Sequence, residues 1–398
     1  MKSKLKVIKF KNFITLKRGY DLPTRKRNNG DVPVLSSSGI SSNHNESKVN
    51  GPGVITGRSG LIGSVYYIRK EFWPLNTTLY VTDFKRNNPL YVYYKLKTIN
   101  LKNFATGSSV PTLNRNHLDS INVNIHDKED QKKQVFILEK IDKKIDLNQQ
   151  IIANLEELSQ TLFKRWFVDF EFPNKDSNPY KSSGGEMVDS ELGEIPKEWQ
   201  VVKLETLIDN IKDRINAKSV SSNFPYVPID LIPKRKLTFY NYKDGKEAKS
   251  SLIKFKRNDI LLGNMRVYFH RVCLAPFEGL TRNTVFTLRP KNEKYTYYLI
   301  NLINKDEFIE YASNNSKGST MPYAVWEGVL DKIKVIKPPL NYLNQFNSKI
   351  KNNFELSISL LEQNRKLATL RDTLLPKLMS GEIEIPDDIE VNMDELSI

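Results

Sequence analysis

The residues best suited to chemistry in this chain of 398 residues are cations set among short loops. The first half offers Lys17, Arg18, Arg25, Lys26, Arg27 and Arg58, with Arg115 just past a Gly-Ser loop. The second half offers Lys234, Arg235, Lys236, Arg266, Arg271, Arg282 and Lys317. Arginine pairs bidentately with guanine edges and asparagine with adenine, whereas lysine mostly grips phosphate. Asn76 and Asn283 occupy matching places in the two halves, and Asn264 joins them as a candidate; a structural role for matched asparagines is as consistent with the pattern. The Gly-Ser loops carrying Ser108, Ser109, Ser319 and Thr320 let backbone amides approach phosphate closely. Loop positions that differ between the halves, Ser59 against Met265 and Leu113 against Ala324, are where different base sequences would be read.

Catalytic signatures are sparse. His44, His117, His126 and His270 show no metal-ligand spacing and read as surface or loop residues. GPGVITGRSG has glycines but neither the spacing nor the lysine of a phosphate loop, and no G-x-G-x-x-G run exists. NPLY (Asn88 to Tyr91) only grazes the N-P-P-Y motif of adenine methyltransferases and reads as a turn opening a helix. The PDD near the C-terminus lacks an E-x-K partner. The single cysteine, Cys273, excludes a disulfide framework and a Cys-based zinc site. We therefore expect no catalytic residues, no metal and no cofactor on this chain.

The formal net charge of +15 is unevenly placed. Residues 1–125 hold 20 basic against 6 acidic residues, residues 126–196 hold 10 against 15, residues 197–337 hold 25 against 15, and residues 338–398 hold 6 against 10. Two basic blocks separated by acidic ones suggest two contacts with a polyanion, because Lys and Arg neutralise phosphates and release counterions. A lysine-rich genome would raise the charge without placing it in two blocks. No apolar run approaches the ~18–20 residues of a membrane span, and the basic N-terminus lacks the apolar core of a signal peptide, so a cytoplasmic protein is expected.

The elements that must position these residues occur twice. VIKFKNFI (Val7 to Ile14) returns as VVKLETLI (Val201 to Ile208), Tyr93-Tyr94 as Tyr297-Tyr298, TGSSVPTLN (ending at Asn114) as KGSTMPYAV (ending at Val325), and DFEFP (Asp169 to Pro173) as EIEIP (Glu382 to Pro386). Matches in preserved order over so long a period mean duplicated domain sets. Each copy begins with short β-branched or aromatic runs bounded by turn residues: VPVLSSSG, GVITGR, GSVYYI and TTLYVT, then FPYVPI, DILLGN, YFHRVCLA and TVFTLR. A Tyr-rich helix follows (about 89–104 in the first copy), then the Gly-Ser loop and a last strand, INVNI or IKVI. NPYKSSGGEM (Asn178 to Met187) reads as a linker, and DFEFP and EIEIP as short strands.

After each block the texture becomes helical. Leu138, Ile141, Ile145, Asn148, Ile152, Leu155, Ser159, Leu162 and Trp166 alternate three- and four-residue steps, the seam of a coiled coil. Nearly forty residues at 1.5 Å each give roughly 60 Å of helix. Phe346, Ile350, Phe354, Ile358 and Leu361, then Leu367, Leu370, Leu374 and Leu378, form a looser second stripe. We expect an antiparallel pair that acts as a rigid spacer. Asn148 and Asn364 either sit buried in the seam and fix its register or lie exposed at an irregular crossing.

The whole pattern resembles the specificity subunit of type I restriction–modification systems. The resemblance rests on GEIPKEWQVVKLETL (Gly193 to Leu207), the GS-x-x-P loops, TLRDTLLPKLMSGEI (Thr369 to Ile383), and the twofold alternation of variable module and heptad helix. It implies an α+β fold in which two pseudo-symmetric target recognition domains, 1–126 and 193–338, alternate with long helical spacers, 127–175 and 339–385. Segment 176–192 would link the copies and 386–398 form an acidic tail. It implies recognition of a bipartite, asymmetric target in double-stranded DNA by a non-catalytic subunit. Two modification subunits would bring S-adenosylmethionine for adenine-N6 methylation, and restriction subunits ATP and Mg. An independent DNA-binding protein without a methylase is the alternative. One departure is that Trp166 and Phe167 stand where the second copy has Met379 and Ser380; the two halves then dock partners differently, or the aromatic patch packs against the returning tail.

Overall fold

Each copy of the repeat folds around a four-stranded antiparallel sheet. The computed structural model describes residues 5–107, 111–220, 224–249 and 252–386. It divides into two compact units, residues 1–144 with 367–398, and residues 145–366. Units and repeats do not coincide, because each long helix gives part of its length to each unit.

In the first unit the strands β1 (Thr15–Arg18), β2 (Gly53–Gly57), β3 (Val65–Ile68) and β4 (Thr78–Asp83) lie in the order β1-β4-β2-β3. All of β2 and the first four residues of β4 are buried, which their Val, Ile, Leu, Tyr and Thr content favours. Helix α1 (Pro89–Thr98) packs on β2 and β3. It begins as NPLY suggests: Asn88 accepts from the amides of Leu90 and Tyr91, and Pro89 takes the first helical position, where its missing N–H costs nothing. The helix stops at Thr98, short of the expected 104, because Ile99 is extended; a separate 3-10 turn covers Leu101–Phe104. Residues Lys6–Lys9 pair with Asn122–Ile125, so the first and last strands close the module. Helix α2 (Lys128–Phe167) follows.

The second unit repeats the plan. Strands β5 (Ile208–Ile211), β6 (Ile260–Gly263), β7 (Val272–Leu274) and β8 (Val285–Pro290) take the order β5-β8-β6-β7, the same permutation as before. Gln200–Lys203 pairs with Lys334–Lys337 to close the module. Helix α3 (Thr296–Ile303) carries the second Tyr pair, α4 (Asp306–Asn314) follows, and α5 (Leu340–Ser380) is the second long helix. The secondary sheets differ: three strands in the first unit, five short ones in the second.

Within each unit the segments of α2 and α5 run antiparallel. In the second, Asn148 faces Asn364, Ser159 meets Asn353 and Trp166 packs on Phe346 at 5.9 Å. In the first, Gln134 donates to the carbonyl of Leu378 and Asp142 accepts from Arg371. Of the expected seam residues, Ile152, Trp166 and Ile350 are buried, and Ile141, Ile145, Leu155, Leu162, Leu361, Leu367 and Leu374 half-buried. Leu370 is instead 48% exposed; the stripe passes to Leu374, Leu375 and Leu378. Asn148 is buried, with its amide nitrogen donating to Gln363 (2.7 Å) and Asn364 (2.8 Å). The aromatic end of α2 is core: Phe167 meets Phe346 edge-on at 4.8 Å and Tyr298 at 5.0 Å, and Trp199 stacks on Phe172 at 5.0 Å. These aromatics thus pack on Phe346 of α5 and on the second module, rather than on a returning tail.

The segments after the long helices correct one expectation. Helix α2 ends at Phe167 and α5 at Ser380, inside the expected spacer segments 127–175 and 339–385. DFEFP is no strand: the amides of Asp169 and Glu171 bond back to the carbonyls of Lys164 and Arg165 around a left-handed Phe170, so the segment closes the helix end. EIEIP is likewise not a strand; around Gly381 (φ 75) the amides of Glu382 and Ile383 both return to the carbonyl of Lys377. The segment 176–192, read as a linker, is a folded loop. Tyr180 stacks on Phe172 at 4.6 Å and donates to Glu186, and Met187–Val188 pairs with Ile195–Pro196. Of the tail, residues 387–398 lie outside the described residues.

Candidate nucleic-acid interface

The hydrogen bonds at the end of β2 recur, residue for residue, at the end of β6. The amide of Arg58 bonds the carbonyl of Thr77 (2.8 Å), and that of Asn264 bonds Thr284 (2.9 Å). The carbonyl of Arg58 accepts from Leu113 (2.8 Å), and that of Asn264 from Ala324 (2.9 Å). The next residue bridges to the loop strand in both: Ser59 to Thr112 and Met265 to Tyr323. Even the side chains agree, since Arg58 donates to the carbonyl of Asn76 (3.3 Å) and Asn264 to that of Asn283 (2.7 Å). Each module thus clamps one strand tip between a neighbouring strand and the Gly-Ser loop, and the sequence matches Ser59/Met265 and Leu113/Ala324 are structural equivalents.

In the first module this geometry gathers Arg58, Ser59 and Asn76. Arg18 is near enough that burial first and its charge second hold the Arg58 guanidinium below its ordinary basicity. Lys17 and Arg18 are exposed on β1, and Arg115 donates to the carbonyl of Leu16 on the same strand (3.3 Å). The Asn76 amide is engaged by Asp21, an acid the sequence reading passed over. Arg25 and Lys26 sit apart on an exposed 3-10 turn, while Arg27 is held by Ser42 and the carbonyl of Leu22. Ser108 and Ser109 lie outside the described residues.

In the second module Asn264, Arg266, Asn283, Lys317, Ser319 and Thr320 come together. Arg266 donates its amide to the carbonyl of Pro322, and Lys317 exchanges backbone bonds with Tyr323 across the loop. Asn283, Arg282, Ser319 and Thr320 are exposed, whereas Asn264 is buried. Lys234 lies over the ring of Phe269 (4.0 Å), and Arg235 pairs with Asp306 (2.9 Å). Arg271 turns inward, its guanidinium bonding the carbonyls of Ile229, Asp230 and Ile232. A cavity of about 580 Å³ beside Asn264 is lined by Arg214, Asn283, Tyr323 and Trp326. Arg214, Tyr268 and Tyr323, which sequence reading did not single out, are exposed on the same module; aromatics among cations were the available signal.

The acidity of the long helices is partly spent inside each unit. Glu156 is buried and accepts from the amides of Leu237 and Thr238 and the hydroxyl of Thr238; burial raises its pKa while those bonds and Lys236 oppose the rise. Glu139 pairs with Arg69 (2.7 Å), and Asp142 accepts from Tyr94 (2.7 Å). The histidines are not surface residues, His117 excepted: His44 packs edge-on to Trp73, His126 bonds Tyr91 and His270 bonds Asn304. Among the described residues no group of three or more His, Cys, Asp or Glu could hold a metal, and no helix is long and apolar enough to cross a membrane.

Residues 2–157 match the family described as type I restriction modification DNA specificity domain. The chain is 28% identical over 313 residues to the type I restriction enzyme MjaIX specificity subunit of Methanocaldococcus jannaschii, covering 75% of this chain and 69% of that one. It is 24% identical over 335 residues to the HindI specificity subunit of Haemophilus influenzae, covering 70% and 72%. Its fold is similar to that of a type I restriction-modification S subunit from M. genitalium, with a TM-score of 0.61 over 94% of this chain and 96% of that one, at 12% identity.

Proposed function

We propose, from the premise that this chain belongs to the type I restriction-modification specificity family, that it reads a bipartite DNA sequence, one half with each module, and contributes recognition rather than catalysis. The observation that carries this is the duplicated strand tip: one backbone frame, built twice, displaying Arg58 and Ser59 in one copy and Asn264 and Met265 in the other. An identical frame with different side chains suits two half-sites of different sequence. The Lys and Arg around each tip supply phosphate contacts, so affinity should fall steeply with salt.

The paired segments of α2 and α5 act as the spacer that sets the gap between half-sites. Their outward faces dock modification subunits, which bring S-adenosylmethionine to adenine N6, and restriction subunits supply ATP- and Mg-dependent cleavage. The complex works in the cytoplasm, where the DNA is.

The test is a map of N6-methyladenine across the host genome by long-read sequencing, with this gene intact and deleted. A bipartite motif that disappears on deletion is the expected result. An unchanged methylome, together with tight sequence-specific binding by the purified chain alone, would favour an independent DNA-binding protein.

A further inference from the structure

The turn joining β6 to β7, Asn264 to Arg271, is built with unfavourable backbone. Arg266 (φ 48) and His270 (φ 53) are both left-handed, and so is Arg235 (φ 53), whose amide bonds the carbonyl of His270 at 2.8 Å. A side chain with a Cβ disfavours that region; glycine does not. The equivalent turn of the first module, Arg58 to Ser64, meets the same demand with Gly60 (φ 78) and Gly63 (φ 79). Matching bonds fix the equivalence: Gly57 to the carbonyl of Ser64 and Gly263 to that of Arg271, each 2.9 Å. The second module therefore keeps Arg266 and His270 in a turn where the first shows that glycine suffices. Strain retained where a relaxed residue would serve points to a role for the side chain.

Two of these residues have a role within the fold. Arg235 pairs with Asp306, and His270 lies 3.3 Å from Asp306 while its Nε2 meets the carbonyl of Asn304 at 2.9 Å. Together they pin the turn to the start of α4. Arg266 is different: its side chain is exposed and makes no hydrogen bond or ion pair among the described residues. Beside it, buried Val267 anchors the turn while Tyr268 is 49% exposed. The first module also pairs one buried and one exposed residue here but in the opposite order, with Leu61 59% exposed and Ile62 buried.

We propose that the 264–271 turn is the reading finger of the second module, with Arg266 taking a guanine edge in the major groove and Tyr268 packing against the adjacent nucleotide. This rests on the DNA-specificity reading above and assigns its residues. Arginine is the commonest specific reader of guanine because its fork meets O6 and N7 together. Lysine, a point charge, cannot reproduce that fork.

The experiment places wild-type, Arg266→Gly, Arg266→Lys and Tyr268→Ala full-length chains with their modification subunits in cells lacking the gene. Methylated motifs are mapped, and each purified chain is melted. Arg266→Gly should melt no lower than wild type, because strain is relieved, yet one G·C position in one half-site should become degenerate. Its affinity for the target duplex should fall about 10- to 100-fold, the range for one bidentate base contact. Arg266→Lys should be equally degenerate there, and Tyr268→Ala should bind more weakly without changing which bases are read. An intact motif in Arg266→Gly overturns the proposal, as does full rescue by Lys, which would mark a phosphate contact. Loss of the whole motif together with a lower melting temperature would assign Arg266 to the fold and overturn it equally. If wild type yields no bipartite motif, the family-level reading fails instead; equal affinity of wild type and Arg266→Gly for random-sequence duplex then sinks the finger as well.

Discussion

The ammonium of Lys95, 7% exposed, donates at 2.7 Å to the carbonyl of Met379 in the last turn of α5, where a cation also meets the negative end of the helix. Burial lowers its pKa to about 8, against roughly 10.4 for an unfolded lysine. Between those values the folded chain binds fewer protons than the unfolded one, so this residue's contribution to stability rises with pH from about 8 towards 10. Thermal unfolding of wild type and Lys95→Met at pH 7.5, 8.5 and 9.5 checks the sign. The wild type should gain on the variant as pH rises, and parallel curves would refute the assignment. Nothing local marks Lys95 in the sequence, since its partner lies 284 positions away. The same holds for Glu156, whose three donors are on Leu237 and Thr238. Residue-level chemistry was legible where chain neighbours supply it, as in the Asn88 cap, and illegible where tertiary contact does. The candidate site divides along that line: Arg266 and Asn283, placed in loops by their local sequence, are exposed, whereas the inward turn of Arg271 depends on carbonyls about forty positions upstream.

Among elements, the facing asparagines of α2 and α5 make the sharpest case. Asn148 donates to Asn364, yet the Asn148 oxygen and the Asn364 nitrogen are buried without partners. Such a pair specifies register at a cost in stability. Asn148→Leu alone leaves Asn364 more poorly satisfied and should lower stability by about 1–3 kcal/mol. Asn148→Leu with Asn364→Leu should recover much of that loss, because two apolar partners need no hydrogen bond. Denaturant midpoints combined in a double-mutant cycle test this; two neutral single variants would mean the pair is incidental. Phe346, wholly buried between Phe163, Trp166 and Phe167, should cost about 3–5 kcal/mol on change to Ala, read as a lower midpoint for the second unit. The heptad stripe was legible because its period is local. The segments just after the helices were not, because left-handed Phe170 and Gly381 turn alternating sequences into caps instead of strands.

At the scale of the whole molecule, duplication is the feature on which the proposed function depends, and it was legible because order survives divergence. Both four-stranded sheets take one permutation, and both modules are closed by pairing of their first and last strands. The secondary sheets, three strands against five, diverged too far for the match to predict. The proposed spacer makes a prediction about length. Helix α2 has 40 residues and α5 has 41, and within both units their segments pair antiparallel, so a change in one alone would slide the seam and part Asn148 from Asn364. Inserting one heptad into each helix, between the Asn148–Asn364 level and the Asp142–Arg371 level, keeps the 3.5-residue period and both contacts. Seven residues add about 10 Å of helix, close to three base-pair rises of ~3.4 Å. The methylated motif of the double-insertion chain should keep its two half-site sequences while its gap lengthens by about three base pairs. The single-helix insertion should assemble poorly and methylate little. An unchanged gap in a well-folded double insertion would show that the helices do not set the spacing, even if each module still reads its own bases.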